Sequence, residues 1–262
     1  MKKLSGYLLI AGILAFTSCT KTGQQGPAGA NGSNGATGPA GPTLTNTITG
    51  YVFLYDAYGD RVNTGDSTAY ALLYNTANGA KVDSINANSA GLFTGTVQTG
   101  TYNIVAKCPG YGNSVTQDVV FSGGTRTNDI TFAAIPPLYA ASGRDSIGAA
   151  NVYIKGTLIA PNTRVTTLLV YVGTTSSVNA TVPGSYSFVV AGNIAANATT
   201  YIIPLPLTTL DAFFSAGATA YVAIYGAAVN YTFGDYTDYA SRNIVYTPIS
   251  ATSLNPGSFI MP

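Results

Sequence analysis

The side chains best able to do chemistry crowd near the end of the chain, where Tyr231, Phe233, Tyr236 and Tyr239 flank Asp235 and Asp238. Two carboxylates with backbone carbonyls could contact calcium, and the rings could form a platform for sugar faces. Calcium takes about six to eight oxygen ligands, so two carboxylates make a thin site, and a solvent-exposed loop accounts for the same residues. Tyr231, Asp235, Tyr236, Asp238 and Tyr239 are therefore carried as candidate glycan or calcium contacts, with no metal or cofactor assigned. Asp56, Asp60 and Asp66 could also share a cation. Turn chemistry explains Asp56 and Asp60 more simply, because Asp carboxylates accept hydrogen bonds from local backbone N–H groups. The chain has no His and two Cys. That excludes the common zinc sites, haem ligation by His and hydrolysis by a Ser–His or Cys–His pair. No two Asp are paired in sequence as glycoside hydrolysis would need. No enzyme activity is expected.

The elements that position these residues are β-strands. Charged residues make up 8% of the chain, and there is no Glu, whereas a typical globular domain carries about 25%. Exposed helices need Glu and Lys on their outer faces, so long helices are disfavoured. Tyr, Val, Ile, Thr and Phe fill intervals punctuated by Gly, Pro, Asn and Asp, which is strand usage. No Lys/Arg cluster is present to neutralise phosphates, so nucleic acid is not a partner.

At the amino terminus, Lys2 and Lys3 precede an apolar stretch at 8–16, and the small residues Thr17 and Ser18 precede Cys19. This is the architecture of a secretory signal, too short and wrongly flanked for a lasting transmembrane helix. The segment resembles a bacterial lipoprotein signal with its lipobox, of the short Ser-Cys type found in Bacteroidetes, although Phe16 stands where Leu is more usual. The resemblance implies cleavage after residue 18 and acylation of Cys19 by fatty acids such as palmitate. More than one acyl chain is needed for stable anchoring. The implied location is a bacterial outer membrane, lipid-anchored, on the cell surface or the periplasmic face. Thr20, Lys21, Thr22 and Gly23 follow without an acid, which leaves the leaflet open.

Glycine then recurs at 23, 26, 29, 32, 35, 38 and 41. The strict period resembles a collagen-like Gly-X-Y repeat, which places Gly at every third residue because only Gly fits the triple-helix axis. With Pro27, Pro39 and Pro42 as its prolines, the tract is read either as a disordered tether or as a weak homotrimerising stalk over 23–43. Residues 1–18 are thus the signal, and 19–44 the lipidated Cys and spacer.

Strand-like intervals follow at 48–55, 69–74, 81–85, 92–97, 101–108, 114–121 and 127–133, with turn residues at most breaks. This spacing is that of a β-sandwich. Tyr102, Ile104, Ala106 and Cys108 share one face by period two, which makes Cys108 a buried small hydrophobe. No disulfide is expected once Cys19 is acylated. Ala90, Gly91, Leu92 and Phe93 ahead of Gly100, Thr101, Tyr102, Asn103 and Ile104, then Pro109, Gly110 and Tyr111, resemble the carboxypeptidase regulatory-like domain. That resemblance implies a transthyretin-like sandwich over 45–135. Gly91, Phe93, Gly100, Tyr102, Gly110 and Tyr111 then serve as turn glycines and core aromatics, in a non-catalytic accessory or adhesive module.

Pro136 and Pro137 mark a stiff junction. Strands are expected over 150–159, 165–172, 185–191, 200–204, 218–229 and 242–247, with the run 220–229 apolar enough to be buried on both faces. The stretch 208–214 reads either as one or two helical turns, which Thr208 or Thr209 could cap, or as a sheet crossover. The apolar tail at 259–261 is expected to pack against its own domain. The fold class is therefore all-β, two β-sandwiches in tandem, the second over 138–262 and immunoglobulin-like or fibronectin-like. The function expected is that of a membrane-anchored, extracytoplasmic structural or adhesion lipoprotein with a protein or glycan ligand. The alternative is a carbohydrate-binding accessory lipoprotein of a glycan-uptake system.

Overall fold

The computed structural model describes residues 26, 28–30, 32, 44–62, 67–159 and 163–262. Cys19, Asp66 and most of the 23–43 tract lie outside them. The chain is all-β, and Pro42–Pro262 forms one compact unit. Among the described residues no helix is long and apolar enough to cross a membrane.

The first sandwich comprises β1 (Thr45–Tyr55), β2 (Arg61–Val62), β3 (Tyr70–Asn75), β4 (Lys81–Asn86), β5 (Leu92–Gln98), β6 (Gly100–Lys107), β7 (Ser114–Phe121), β8 (Gly124–Thr127) and β9 (Ile130–Ala133). One sheet is organised around β1, which pairs with β2 and β5 antiparallel and with β8 and β9 parallel. The other runs β4-β3-β6-β7. Ile48, Leu54, Phe93, Ile104, Phe121 and Phe132 fill the space between them, each at most 3% exposed. The single strand expected at 127–133 is divided. The chain steps out of the ladder at Asn128, whose carbonyl lies against Gly50, and Asp129 accepts a hydrogen bond from the Tyr51 N–H at 2.9 Å. A Cβ on Gly50 would lie 2.2 Å from that carbonyl oxygen, so only Gly allows the crossing. Gly91 and Gly110 hold φ of 76° and 82° at turns, where Gly carries no steric penalty. Tyr102 and Cys108 are buried, on the core face that their alternation predicts.

The second sandwich comprises β10 (Arg144–Ile147), β11 (Asn151–Thr157), β12 (Thr166–Gly173), β13 (Phe188–Ile194), β14 (Thr200–Pro206), α1 (Leu207–Leu210), β15 (Thr219–Ala227), β16 (Tyr236–Thr237), β17 (Ile244–Val245) and β18 (Leu254–Ile260). The sheets run β10-β11-β14 and β13-β12-β15-β18, with β16 and β17 as a separate small pair. Every residue of β12 is buried, as are the last six of β15. Leu168, Val170, Val172, Val222 and Ile224 pack towards the three-stranded sheet. Leu169, Tyr171, Ala223 and Tyr225 pack on the opposite face beneath the chain around 178–186 and 249. This is the two-sided burial expected of 220–229.

Three local expectations are corrected. The helix begins after Pro206, without a side-chain cap, so neither Thr208 nor Thr209 serves. Only Ile244 and Val245 of the 242–247 interval join a ladder. β10 and β18 form where no strand was expected. β18 contains Pro256 and Gly257, tolerated because it is an edge strand opposite a register shift at Val222/Ile224. It buries Phe259, and Met261 beyond it is also buried, while Ile260 is 62% exposed.

Candidate functional site

The aromatic–acidic segment is not a free loop. The Asp238 carboxylate accepts from the Ser241 N–H at 2.8 Å and the Ser241 hydroxyl at 2.7 Å, which holds it below the usual carboxylate range. Burial pushes the Asp235 carboxyl up. Tyr236 pairs with Val245 across the β16–β17 ladder, and Tyr231 meets the Tyr246 ring edge-on at 5.3 Å. Tyr239 is 52% exposed and donates through its hydroxyl to Asp118 of the first sandwich. Among the described residues no group of three or more His, Cys, Asp or Glu is placed to hold a metal ion.

This segment and its neighbours brace the two sandwiches together. Gln117 Nε2 donates to the Thr237 carbonyl at 3.1 Å, and the Val229 N–H donates to the Ala57 carbonyl at 2.9 Å. The Thr247 hydroxyl donates to the Asn113 carbonyl. The Tyr55 and Phe233 rings meet edge-on at 5.1 Å. Asp56 and Asp60 also belong to this junction. The Asp56 carboxylate accepts from the Tyr58 and Asp60 N–H groups at 2.9 and 2.8 Å, closing the turn. Arg164 then reaches across, 2.9 Å from Asp60 and 3.5 Å from Asp56, with its guanidinium 4.6 Å from the centre of the Tyr58 ring. A guanidinium thus stands where a bound cation was considered.

A different surface has the character of a binding face. In the β10-β11-β14 sheet, Val152, Ile154, Ile203 and Leu205 face the core and are at most 1% exposed. Alternation sends their neighbours outward. The register sets those neighbours in rows across the three strands. Ser146, Tyr153 and Pro204 form one row, and Arg144, Lys155 and Ile202 form the next. Thr157 and Thr200 form the third, extended by Ser142, whose hydroxyl lies 2.7 Å from that of Thr157. Among the described residues no element covers these rows: Arg144, Thr157, Thr200 and Pro204 are exposed, and Ile202 is 63% exposed. A groove of about 470 Å³ runs along the second and third rows, lined by Ser142, Arg144, Lys155, Thr157, Thr200 and Ile202 among others, with the Tyr153 row beside it.

Two glycines shape the end of this groove. Ser142 lies across β11 at Gly156, where a Cβ would be 1.9 Å from the Ser142 carbonyl oxygen. The same carbonyl accepts from the Tyr201 hydroxyl at 2.7 Å. At Gly143 a Cβ would lie 2.8 Å from Pro256.

None of these groove residues stands out in the sequence. Arg144 and Lys155 are eleven positions apart, and only the pairing of β10 with β11 makes them neighbours. The signal available was scarcity, since Arg144, Lys155, Arg164 and Arg242 are the only cations after residue 138.

No family model and no curated protein matches the chain. Among solved structures it is similar to a DUF3823 family protein from Parabacteroides merdae, at 10% identity and a TM-score of 0.27 over 80% of this chain and 98% of that one. It is similar to a candidate carbohydrate-binding protein from Bacteroides uniformis, at 13% identity and a TM-score of 0.27 over 80% and 98%. It is also similar to the major pilin subunit of Bacillus cereus, at 10% identity and a TM-score of 0.26 over 80% and 68%. Likenesses of this degree carry no functional argument.

Proposed function

We propose that the protein is a non-catalytic, lipid-anchored lipoprotein of a bacterial outer membrane, structural or adhesive, with its β-sandwiches outside the cytoplasm. The observation that carries this reading is the braced junction. Hydrogen bonds, an ion pair and ring contacts tie 55–60 and 113–118 to Arg164 and 229–247. A body made rigid in this way holds one face at a fixed angle to whatever it meets. The thiol of Cys19 supplies the other half of the reading, because acyl chains on it would keep that body at a bilayer. Feeding cells an alkyne-tagged palmitate tests it. The mature chain should take up label and fractionate with membranes, and Cys19→Ser should abolish both. An unlabelled mature chain would end the proposal.

A second reading is favoured by the uncovered face of β10-β11-β14. Tyr153 beside Pro204 presents a ring surface of the kind that sugars stack on, and Ser142, Thr157 and Thr200 offer hydroxyls that both donate and accept. This face suits a glycan ligand, as an accessory lipoprotein of glycan uptake would require.

A further inference from the structure

We infer that the β10-β11-β14 face takes an acidic polysaccharide, with the ligand's carboxylates or sulfates seated on Arg144 and Lys155. The inference rests on the glycan-binding reading and narrows its ligand class.

The argument starts from charge. Arg144 and Lys155 are direct cross-strand partners. Directly opposed like charges destabilise a sheet, so nothing in the fold asks for this pair. Their carboxylate neighbour in sequence, Asp145, is paired with Ile154 and points to the other face. Among the described residues the ion pairs are those of Arg164 with Asp56 and Asp60, and neither the Arg144 guanidinium nor the Lys155 ammonium has a hydrogen-bond partner there. Two cations in a charge-poor chain thus stand together over a groove with no anion supplied from within.

The surroundings select the kind of anion. β11, at the floor of the groove, is hydrogen-bonded on both sides, by β10 and β14, so the floor offers no free strand edge to a peptide backbone. What the sheet face offers is side chains: a hydroxyl row that lines the groove on one flank of the cations, and Tyr153 with Pro204 in the next row on the other. A chain of sugar rings bearing anions matches all three rows, with hydroxyls to hydroxyls, ring faces to Tyr153, and anions to Arg144 and Lys155.

Affinity electrophoresis of the full chain in detergent reads this directly, with polygalacturonate, dextran sulfate, neutral dextran or polyglutamate in the gel. Polygalacturonate tests the carboxylate source and dextran sulfate the sulfate source. Retardation by either, without retardation by dextran, is expected. It should fall at least about tenfold in the Arg144→Ser/Lys155→Ser double variant, since each lost contact is a charge-assisted hydrogen bond. Lys155→Glu should weaken it as far by charge reversal alone. Lys81→Ser, on β4, should leave it unchanged. The proposal is overturned if neither acidic polysaccharide retards the chain, or if both groove variants keep full retardation. Equal retardation by polyglutamate overturns it in favour of an acidic peptide. Binding to dextran alone removes the acidic ligand while the glycan reading stands, and silence on every polysaccharide removes both.

Discussion

The phenol of Tyr239 donates a hydrogen bond to the Asp118 carboxylate, joining residues 121 positions apart and tying the second sandwich to the first. Asp118 can receive it because β7 is bulged. Register is lost between Tyr102 and Ile104 on β6, so Gln117 and Asp118 together oppose Asn103. Asp118 takes φ of 53°, a left-handed conformation that Asp tolerates better than most residues, and its N–H donates to the Asn103 side chain at 3.0 Å. The bulge frees Gln117 to reach the Thr237 carbonyl and turns Asp118 towards Tyr239. One extra residue in one strand therefore sets two of the bonds across the junction.

If that junction makes the sandwiches one folding unit, prising it open should divide their unfolding. Gly112 is the place to do so. A Cβ there would lie 2.5 Å from the Pro248 nitrogen and 2.6 Å from the Thr247 carbonyl carbon, both backbone atoms that cannot swing away. Gly112→Val is expected to lower stability by about 1–3 kcal/mol and to replace one urea transition with two. A single transition at the parent midpoint would show that the junction does not couple the halves.

The Tyr171 ring is fully buried, 4.8 Å from Tyr186 and 5.4 Å from Tyr225, and its hydroxyl finds no partner among the described residues. Burial raises its pKa well above the ordinary tyrosine value, so it stays a neutral, unpaired donor. Removing an unsatisfied buried hydroxyl removes a desolvation penalty of about 1–3 kcal/mol. Tyr171→Phe should therefore raise the melting temperature by roughly 2–4 °C for each kcal/mol recovered. Calorimetry of the two chains decides it, and a lower melting point for the Phe variant would refute the argument.

The two-sided burial of β15 and the buried face of Tyr102, Ile104, Ala106 and Cys108 could be read along the chain, because each is a local pattern that one strand carries by itself. What escaped depends on partners. β18 carries Pro256 and Gly257, and nothing in its own sequence marks it as a strand until β15 is set beside it. The interval at 127–133 reads as one strand because nothing local shows that Asn128 must leave the ladder to pass Gly50. The Tyr231–Tyr239 cluster was visible as chemistry, but its surroundings were not, since Asp118, Gln117 and Tyr55 come from the other sandwich. The Arg144–Lys155 pair exists only through strand register, which a linear reading does not contain.

Alkaline pH should destabilise the fold through its buried phenols. Burial is the main cause that pushes Tyr139, Tyr186 and Tyr201 up to about 12 from 10.0. The folded state thus holds these protons more tightly than the unfolded chain, where they leave near pH 10. The unfolded state binds fewer protons above that value, so stability falls as pH rises. The contribution is complete below pH 10 and lost between about 10 and 12. Tyr186 and Tyr201 also donate to the Ile244 and Ser142 carbonyls at 2.9 and 2.7 Å, bonds that a phenolate cannot make. Melting temperatures measured at pH 8, 10 and 11, where the buffers straddle the tyrosine reference value, should drop steeply over the last step. Tyr201→Phe should flatten that drop, and an unchanged melting temperature at the highest pH would contradict the assignment.

Gly156 links the groove to the stability of its own sheet. A methyl group there would lie 1.9 Å from the Ser142 carbonyl oxygen and 2.9 Å from the Tyr201 hydroxyl. The first is backbone, so Ser142 must move away from β11 and break its bonds to Thr157 and Tyr201. Gly156→Ala is therefore expected to reduce stability by about 1–3 kcal/mol, and to distort the hydroxyl row while leaving Arg144 and Lys155 in register. Its effect on polysaccharide retardation separates two contributions. If the cations alone hold the ligand, retardation survives in the folded variant. If the hydroxyl row shares the work, as the three-row match requires, retardation weakens although both charges remain. Measuring retardation below the variant's own melting temperature keeps the comparison free of unfolding, and full parental binding by Gly156→Ala would remove the hydroxyl row from the site.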